Sequence, residues 1–135
     1  MTENTPLSVY ITGATQGLGR EVTRQLVARG HSVAGTAVGL EDAHRIREAG
    51  GLPVYSDPFR PQEIISTLKM IQADVVVNLA PQAINSQPLQ NIDWDHEMRV
   101  IAEGTEALVA AVRAGAARFL VHTSYTFLYG DAHGE

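Results

Sequence analysis

The feature that most constrains the fold is a regular alternation of short apolar runs with longer stretches of helical spacing. Each run is about five to eight residues long, rich in β-branched residues and almost wholly apolar. Runs of this kind are typical of parallel strands that are buried on both faces of a sheet. Strands are therefore predicted at Ser8–Thr12, Ser32–Val38, Leu52–Ser56, Ala73–Ala80 and Arg118–Thr123.

The stretches between the runs predict amphipathic helices. The first carries an apolar face of Leu18, Val22, Leu26 and Val27, and Gly30 supplies its C-terminal stop. Further helices are predicted over Glu41–Ala49, Pro61–Gln72 and Asp93–Ala114. The apolar stripe predicted for the last helix comprises Met98, Ile101, Ala102, Leu108, Val109 and Val112.

This alternation predicts βαβ units, whose crossovers are nearly always right-handed. We expect an α/β fold with a doubly wound parallel sheet, strand order 3-2-1-4-5 and helices on both faces. One domain is expected over residues 1–135, because the chain is long enough for one core. In such sheets the ligand crevice lies at the carboxyl ends of strands one and four.

Composition excludes several functional classes. The net charge of -5, with Lys69 the only lysine, argues against a nucleic-acid partner. The absence of cysteine excludes a disulfide framework and a thiolate metal site, and the five histidines show no metal-ligand spacing, so no metal is expected. No apolar run approaches the roughly 20 residues that span a bilayer, and Met1–Pro6 lacks signal-peptide features. A cytoplasmic chain with no membrane partner is expected.

A glycine-rich segment follows the first predicted strand and opens the first helix. In Thr12–Gly19, Gly13 permits a tight turn, Gly17 leaves room for a pyrophosphate, and Gly19 lets helix and strand pack closely. Such a string alone also suits an ordinary strand–helix turn, but within a βαβ unit it predicts a Rossmann dinucleotide site at a helix N-terminus. The predicted cofactor residues here are Gly13, Thr15, Gln16, Gly17, Leu18 and Gly19.

The glycine motif, together with later motifs in order, resembles the short-chain dehydrogenase/reductases, especially the extended, epimerase-like branch. The later motifs are Asp57-Pro58, Val77–Ala80, Glu103–Thr105, Arg118–Ser124 and Leu128–Gly130. The resemblance implies that Asp57 and Pro58 hold adenine of NAD or NADP, although Asp57 could instead cap a turn. It also implies that Leu79, Ala80 and Pro81 line the pyrophosphate and ribose.

The sequence departs from this family at four places. No tyrosine is followed by a lysine four residues later, and the resemblance places that Tyr-x-x-x-Lys pair beyond Glu135. The resemblance places an active-site Ser or Thr four residues before Tyr129, and this position is Tyr125. Ser124 and Thr126 flank it and could supply the hydroxyl, and Ser124 and Tyr125 are the catalytic candidates. Ile101 occupies the place of an asparagine, and Ala37 that of the acid which binds the ribose of NAD.

Two functions remain open. The first is the cofactor-binding part of an NAD(P)-dependent epimerase, dehydratase or reductase that transfers a hydride on a sugar-nucleotide-like or other hydroxyl or carbonyl substrate. The second is a non-catalytic dinucleotide-binding or regulatory module of the same fold. We expect the 135 residues by themselves to show no turnover, and we expect a homodimer through the 93–114 helix.

Overall fold

Parallel strands form the centre of the molecule. The computed structural model describes residues 5–15, 17–80 and 87–124. Within these ranges one sheet has the order β3-β2-β1-β4-β5, and each neighbouring pair is parallel. Its strands are β1 Ser8–Thr12, β2 Ser32–Thr36, β3 Leu52–Val54, β4 Val75–Asn78 and β5 Phe119–His122. The predicted fold class and strand order are confirmed, although all but β1 are shorter than predicted because pairing ends earlier than the apolar runs.

The helices follow the strands in the expected alternation. They are α1 Gly17–Ala28, α2 Leu40–Glu48, α3 Pro61–Met70, α4 Trp94–Arg99 and α5 Thr105–Arg113, with a 3-10 turn at Leu89–Asn91 and a π-helical turn at Val100–Gly104. Two starts have local causes: Pro61 stands in the first turn of α3, and the Asp93 side chain caps α4 by accepting from the His96 N–H. In the described ranges, no helix has the length and apolarity needed to cross a bilayer.

Alternation along β1 sends side chains to both faces of the sheet. Val9 and Ile11 belong to one core cluster, which includes Ala43 and Ile46 of α2 and is flanked by half-buried residues of α1. Tyr10 belongs to the opposite cluster, formed with residues of α3 and α5. The expected helices on both faces are therefore present, and the strand ends are the remaining open surface of the sheet.

The predicted helix over Asp93–Ala114 requires a correction. Its middle forms the π-helical turn, and the predicted stripe matches the buried face only in part. Leu108 is buried and Val112 packs against the core, whereas Met98 is 53% exposed and Ala102 is also exposed. The buried residues of this region are Glu97, Gly104, Ala107, Leu108 and Ala111. A π turn contains more residues than an α turn, so it shifts the phase of all later positions.

Candidate functional site: the crevice at the carboxyl ends of β1 and β4

The glycine loop leaves β1 and enters α1 with two glycines in the left-handed region. Gly13 has φ 75° and Gly17 has φ 56°, a conformation that L side chains rarely adopt. A Cβ placed at Gly17 would meet nothing within 4 Å, so the space beside this residue is open. The start of α1 thus presents its positive dipole end to an open surface, which is the requirement for binding an anion. Thr15 is half-buried beside it, and Gln16 lies outside the described residues.

The loop is held close to the sheet by small residues. Gly19 is buried, and its carbonyl accepts a hydrogen bond of 2.8 Å from the Thr23 hydroxyl. Ala14 is fully buried, and a Cβ at Gly35 in β2 would lie 2.8 Å from the Ala14 Cβ. Gly35 therefore permits the loop to lie on β2. We did not predict this role, although a glycine inside a strand is a known sign of close backbone approach.

Leu18 differs from its predicted place in the core. It was expected on the apolar face of the first helix, but it is 58% exposed. It stands in the first turn of α1, where the chain has just left the sheet, so no neighbouring element covers it. An exposed leucine beside the open loop is compatible with the predicted cofactor contact, which stays a prediction.

Asn78, at the end of β4, joins the two central strands through its side chain. Its Oδ1 accepts a hydrogen bond of 2.6 Å from the Thr12 hydroxyl and a longer one, 3.4 Å, from the Ala80 N–H. The Thr12 Oγ1 in turn accepts from the Leu79 N–H at 3.2 Å. Asn78 is 1% exposed and Thr12 is 5% exposed, so this network is shielded from water. It fixes the turn of Leu79 and Ala80, two predicted cofactor residues, beside the end of β1, where the glycine loop begins.

The same asparagine extends the network to β5. Its Nδ2 lies 3.1 Å from the His122 Nδ1 and donates a long hydrogen bond of 3.4 Å to the Thr105 hydroxyl. Asn78 Nδ2 can only donate, so this contact is a hydrogen bond where the His122 Nδ1 is the acceptor. The Asn78 backbone carbonyl accepts a hydrogen bond of 2.8 Å from the Thr123 hydroxyl. Ser124 follows and is exposed, whereas Tyr125 lies outside the described residues, as does Pro81.

Asp57 and Pro58 follow β3 at the rim of the crevice. The Asp57 Oδ1 accepts from the Phe59 N–H at 2.9 Å, and Oδ2 lies 3.3 Å from the Arg60 Nε. Asp57 therefore does form the turn that was the alternative to adenine contact. The Arg99 guanidinium lies 4.3 Å from the Phe59 ring centre, which connects α4 to this loop.

A narrow, mostly apolar cleft opens at the carboxyl ends of β1 and β4. Its lining comprises Tyr10, Thr12, Pro58, Ile64, Asn78, Ala80, Val100, Gly104 and Leu108. The Tyr10 hydroxyl lies 3.0 Å from the Ser56 hydroxyl, and burial raises the pKa of Tyr10. The tyrosine is accordingly neutral near pH 7 and is a structural group, not a base.

The residues present fit the phosphate part of a dinucleotide better than its ribose. The ends of β1 and β4 and the start of α1 provide an open glycine loop, a helix N-terminus and an ordered turn at the neighbouring strand end. At the end of β2, however, Ala37 is 6% exposed and offers no polar group. Ile101 is half-buried in the π-helical turn and likewise cannot hydrogen-bond through its side chain. No cluster of three or more metal-ligating side chains occurs in the described part of the chain.

Known proteins share this architecture. The chain is similar to a 3-diazoavenalumate denitrifying reductase from a Streptomyces species, with 32% identity over 123 residues, 90% of this chain and 38% of the relative. Among solved structures, the Bordetella bronchiseptica enzyme WbmG in complex with NAD superposes with TM-score 0.74 at 16% identity, over 94% of this chain and 40% of that one. A short-chain type dehydrogenase/reductase from Mycobacterium ulcerans gives TM-score 0.70 at 21% identity, over 90% of this chain and 52% of that one. At these identities the structures show the common fold.

The family follows from a match over nearly the whole chain. The chain spans between 24% and 38% of the length of the first curated relatives that it matches. A family model described as the NAD dependent epimerase/dehydratase family matches residues 9–135. With its strand order and its glycine loop at the β1–α1 junction, the chain belongs to the NAD dependent epimerase/dehydratase family.

Proposed function

We propose that these 135 residues are the cofactor-binding domain of an NAD(P)-dependent epimerase, dehydratase or reductase. The observation that carries the proposal is the open Gly17 in the first turn of α1, together with the ordered turn of Leu79 and Ala80 at the end of the neighbouring strand β4. Two backbone surfaces facing one crevice can hold a pyrophosphate without a side chain between them. The proposed substrate is a hydroxyl or carbonyl compound, with a sugar nucleotide as one candidate.

Each wall of the crevice has a proposed task. The glycine loop, from Gly13 to Gly19, binds the pyrophosphate, with Thr15 and Gln16 as polar contacts. The turn of Leu79 and Ala80, followed in sequence by Pro81, lines the ribose at the end of β4. Pro58 provides an apolar surface for adenine at the rim, and Asp57 supports that surface through its turn with Phe59.

The chemistry would take place beyond the end of β5. A bound nicotinamide dinucleotide supplies hydride exchange at a carbinol carbon. Ser124 follows β5, which is paired with β4, so its hydroxyl is proposed to hydrogen-bond the substrate oxygen at the crevice edge. Tyr125 is the second candidate for this contact. The Tyr-x-x-x-Lys pair that the family resemblance implies has no match among the four tyrosines of these residues.

A non-catalytic dinucleotide-binding module is the second candidate. It is favoured by Ile101, which places an apolar side chain where the resemblance implies an asparagine near the nicotinamide. A module of this kind would bind dinucleotide and report its binding through a partner. Turnover by a protein that contains these residues distinguishes the two candidates, because only the first predicts it.

Isothermal titration calorimetry with NAD and NADP tests the shared part of both candidates. Gly17→Val places a branched side chain in the open space and is expected to weaken dinucleotide binding at least tenfold. Gly115→Val is the matched control, because Gly115 also has positive φ (77°) and open space but lies at the opposite end of the sheet. Both substitutions should lower the free energy of unfolding by a similar amount, because each places a β-branched residue at positive φ. Equal affinity of the wild type and Gly17→Val would refute the phosphate site.

A further inference from the structure

The narrow cleft at the carboxyl ends of β1 and β4 contains unfilled space. Gly104 lines this cleft and is buried, yet a Cβ added to it would meet no atom within 4 Å. Pro58 lines the cleft from the loop between β3 and α3, and Val100 lines it from the first position of the π-helical turn. The cleft therefore lies between this loop on one side and the start of the π-helical turn on the other.

A side-chain contact joins these two sides of the cleft. Phe59 directly follows Pro58, and Arg99 directly precedes Val100. The Arg99 guanidinium lies 4.3 Å from the centre of the Phe59 ring, a distance at which the ring attracts the cation. The His96 ring meets the same phenyl ring edge-on, with 6.4 Å between the ring centres. We call the contact between Phe59 and Arg99 the latch.

Carboxylates hold both residues of the latch in place. The Asp57 Oδ1 accepts from the Phe59 N–H at 2.9 Å, and the Glu103 Oε2 accepts from an Arg99 guanidinium nitrogen at 3.0 Å. The hydrogen bond to Glu103 raises the pKa of Arg99, and the Asp57 carboxylate adds to this rise. The guanidinium is thus charged and is attracted both along its own helix and towards the β3–α3 loop.

The helix that carries Arg99 is weakly anchored apart from the latch. Of the six residues of α4, only Glu97 is buried, and among the described residues its Oε1 has no hydrogen-bond partner. By contrast, α5 buries Ala107, Leu108 and Ala111. In the described ranges, α4 makes no hydrogen bond or ion pair with a strand or with another α-helix. A segment with so few buried contacts opens at a low free energy, and the π-helical turn separates it from α5.

From these contacts we infer that the latch is an autoinhibitory contact: it holds α4 against the β3–α3 loop and keeps a dinucleotide out of the cleft until it separates. The inference rests on the proposed dinucleotide site and adds a control on access to it. When the latch separates, α4 turns about the π-helical turn and the cleft widens between Pro58 and Val100. A ligand that binds only the open state has its affinity reduced by the open fraction, and an exposed cation–π contact changes that fraction about two- to fivefold.

The test measures the rate constants of NAD binding with and without the latch. Trp94 is the only tryptophan and lies in α4, so its fluorescence reports on this helix after stopped-flow mixing with NAD. Phe59→Leu removes the ring and keeps an apolar side chain, whereas Arg99→Gln removes the cation and keeps a polar one. The double variant shows whether both substitutions act through the same contact, and melting curves confirm that each variant is folded.

Arg60→Gln is the matched control for the loss of a positive charge. Arg60 lies in the same loop and its side chain is 70% exposed, against 54% for Arg99. It pairs with Asp57 and Glu63 and, in the described part of the chain, stacks on no aromatic ring. Amide hydrogen exchange without any ligand provides a second measurement, in which loss of the latch should speed exchange in α4 two- to fivefold and leave α5 unchanged.

Both latch variants are expected to associate with NAD two to five times faster than the wild type. Their dissociation rate should be unchanged, because the dinucleotide occupies the open state, so the Kd falls by the same factor. Arg60→Gln should match the wild type, and the double variant should be no faster than either single one. If these residues merely supported the site, their loss would weaken binding instead.

The outcomes separate the latch from the dinucleotide site itself. Association with NAD that is unchanged or slower in both latch variants overturns the inference and leaves the proposed function intact. Exchange in α4 that is no faster than in the wild type overturns it as well, as does an equal gain in Arg60→Gln. Absence of NAD binding by the wild type and by both latch variants overturns the proposed function and the inference together.

Discussion

Asn78 is the residue whose replacement should reveal how the crevice is held together. The variant Asn78→Leu keeps a similar volume at a site that is 1% exposed, so it removes hydrogen bonds without opening a cavity. It deletes the partner of His122 at 3.1 Å and the acceptor of the Thr12 hydroxyl at 2.6 Å. The two contacts of 3.4 Å, to Ala80 and Thr105, are long and add little.

The expected loss in free energy of unfolding is the sum of the contributions of these two contacts. The bond to His122 contributes about 1 kcal/mol, and a buried Thr12 hydroxyl without an acceptor costs about 1–3 kcal/mol. Asn78→Leu should therefore lower the free energy of unfolding by about 2–4 kcal/mol. For a domain of this size the melting temperature should fall by roughly 10 °C, measured by circular dichroism. Dinucleotide affinity should fall too, because the turn of Leu79 and Ala80 loses its anchor.

A double-mutant cycle separates this network from general damage. Thr12→Val alone leaves the Asn78 Oδ1 with only the long Ala80 contact, so the double variant should be less destabilised than the sum of the singles, by about 1 kcal/mol or more. Thr123→Val is the control, since its hydroxyl bonds the Asn78 carbonyl, which the leucine variant retains. The losses in free energy of unfolding caused by Thr123→Val and Asn78→Leu should add within about 0.5 kcal/mol. Additivity of Thr12→Val with Asn78→Leu would show that the side-chain bond does not stabilise the fold.

Three further predictions concern single sites. Gly35→Ala should lower the free energy of unfolding by about 1–3 kcal/mol, because the new Cβ would lie 2.8 Å from the Ala14 Cβ. Chemical denaturation measures this, and an unchanged free energy of unfolding would contradict the close packing. Glu97 is 5% exposed, and among the described residues its Oε1 has no hydrogen-bond partner. Glu97→Met should therefore raise the free energy of unfolding by about 1–3 kcal/mol, measured as a higher melting temperature. A lower melting temperature would show that the carboxylate makes a favourable contact. The hydrogen bond from Arg24 lowers the pKa of Glu21 to about 2. The ionised Glu21 therefore stabilises the folded state fully above pH 4.5, and this stabilisation is lost as the pH falls towards 2. An NMR titration should show this midpoint, and Arg24→Gln should move it upward; a midpoint near 4.5 in the wild type would count against the pair.

The fold could be predicted because its signals are local and agree with one another. Each strand is a short apolar run, each helix has its own spacing, and right-handed crossovers leave few possible strand orders. The family resemblance was also correct, since it used motifs in sequence order. The π-helical turn at Val100–Gly104 was not predicted, because nothing in the apolar spacing distinguishes it from an α turn. That turn shifts the phase of the positions that follow it. Met98 precedes the turn and is exposed, and the buried face of its helix carries Glu97 instead.

The site was predictable only where it is continuous in sequence. The glycine loop is a contiguous motif, and its positive φ angles follow from the glycines. The role of Asn78 depends on strand register, which places it beside Thr12 on one strand and His122 on the other. Contacts between residues that are far apart in the sequence can be identified only from the three-dimensional structure.

The outer face of α5 supports a prediction about self-association. A shallow groove there is lined by Thr105, Glu106, Val109, Ala110 and Arg113, and in the described part of the chain neither Glu106 nor Arg113 has an ion-pair partner.

An isologous dimer would pair these charges between copies. A twofold axis halfway between Glu106 and Arg113 passes between Val109 and Ala110, whose side chains are small enough for two antiparallel helices to approach. Each Glu106 would then face the Arg113 of the other copy. We therefore expect Arg113→Glu to weaken the dimer in sedimentation velocity, and Glu106→Arg combined with Arg113→Glu to restore it. Ala110→Glu, at the axis, should weaken it in both charge backgrounds. A wild type that stays monomeric at high concentration, or a charge swap that fails to restore association, would show that this face does not form the contact.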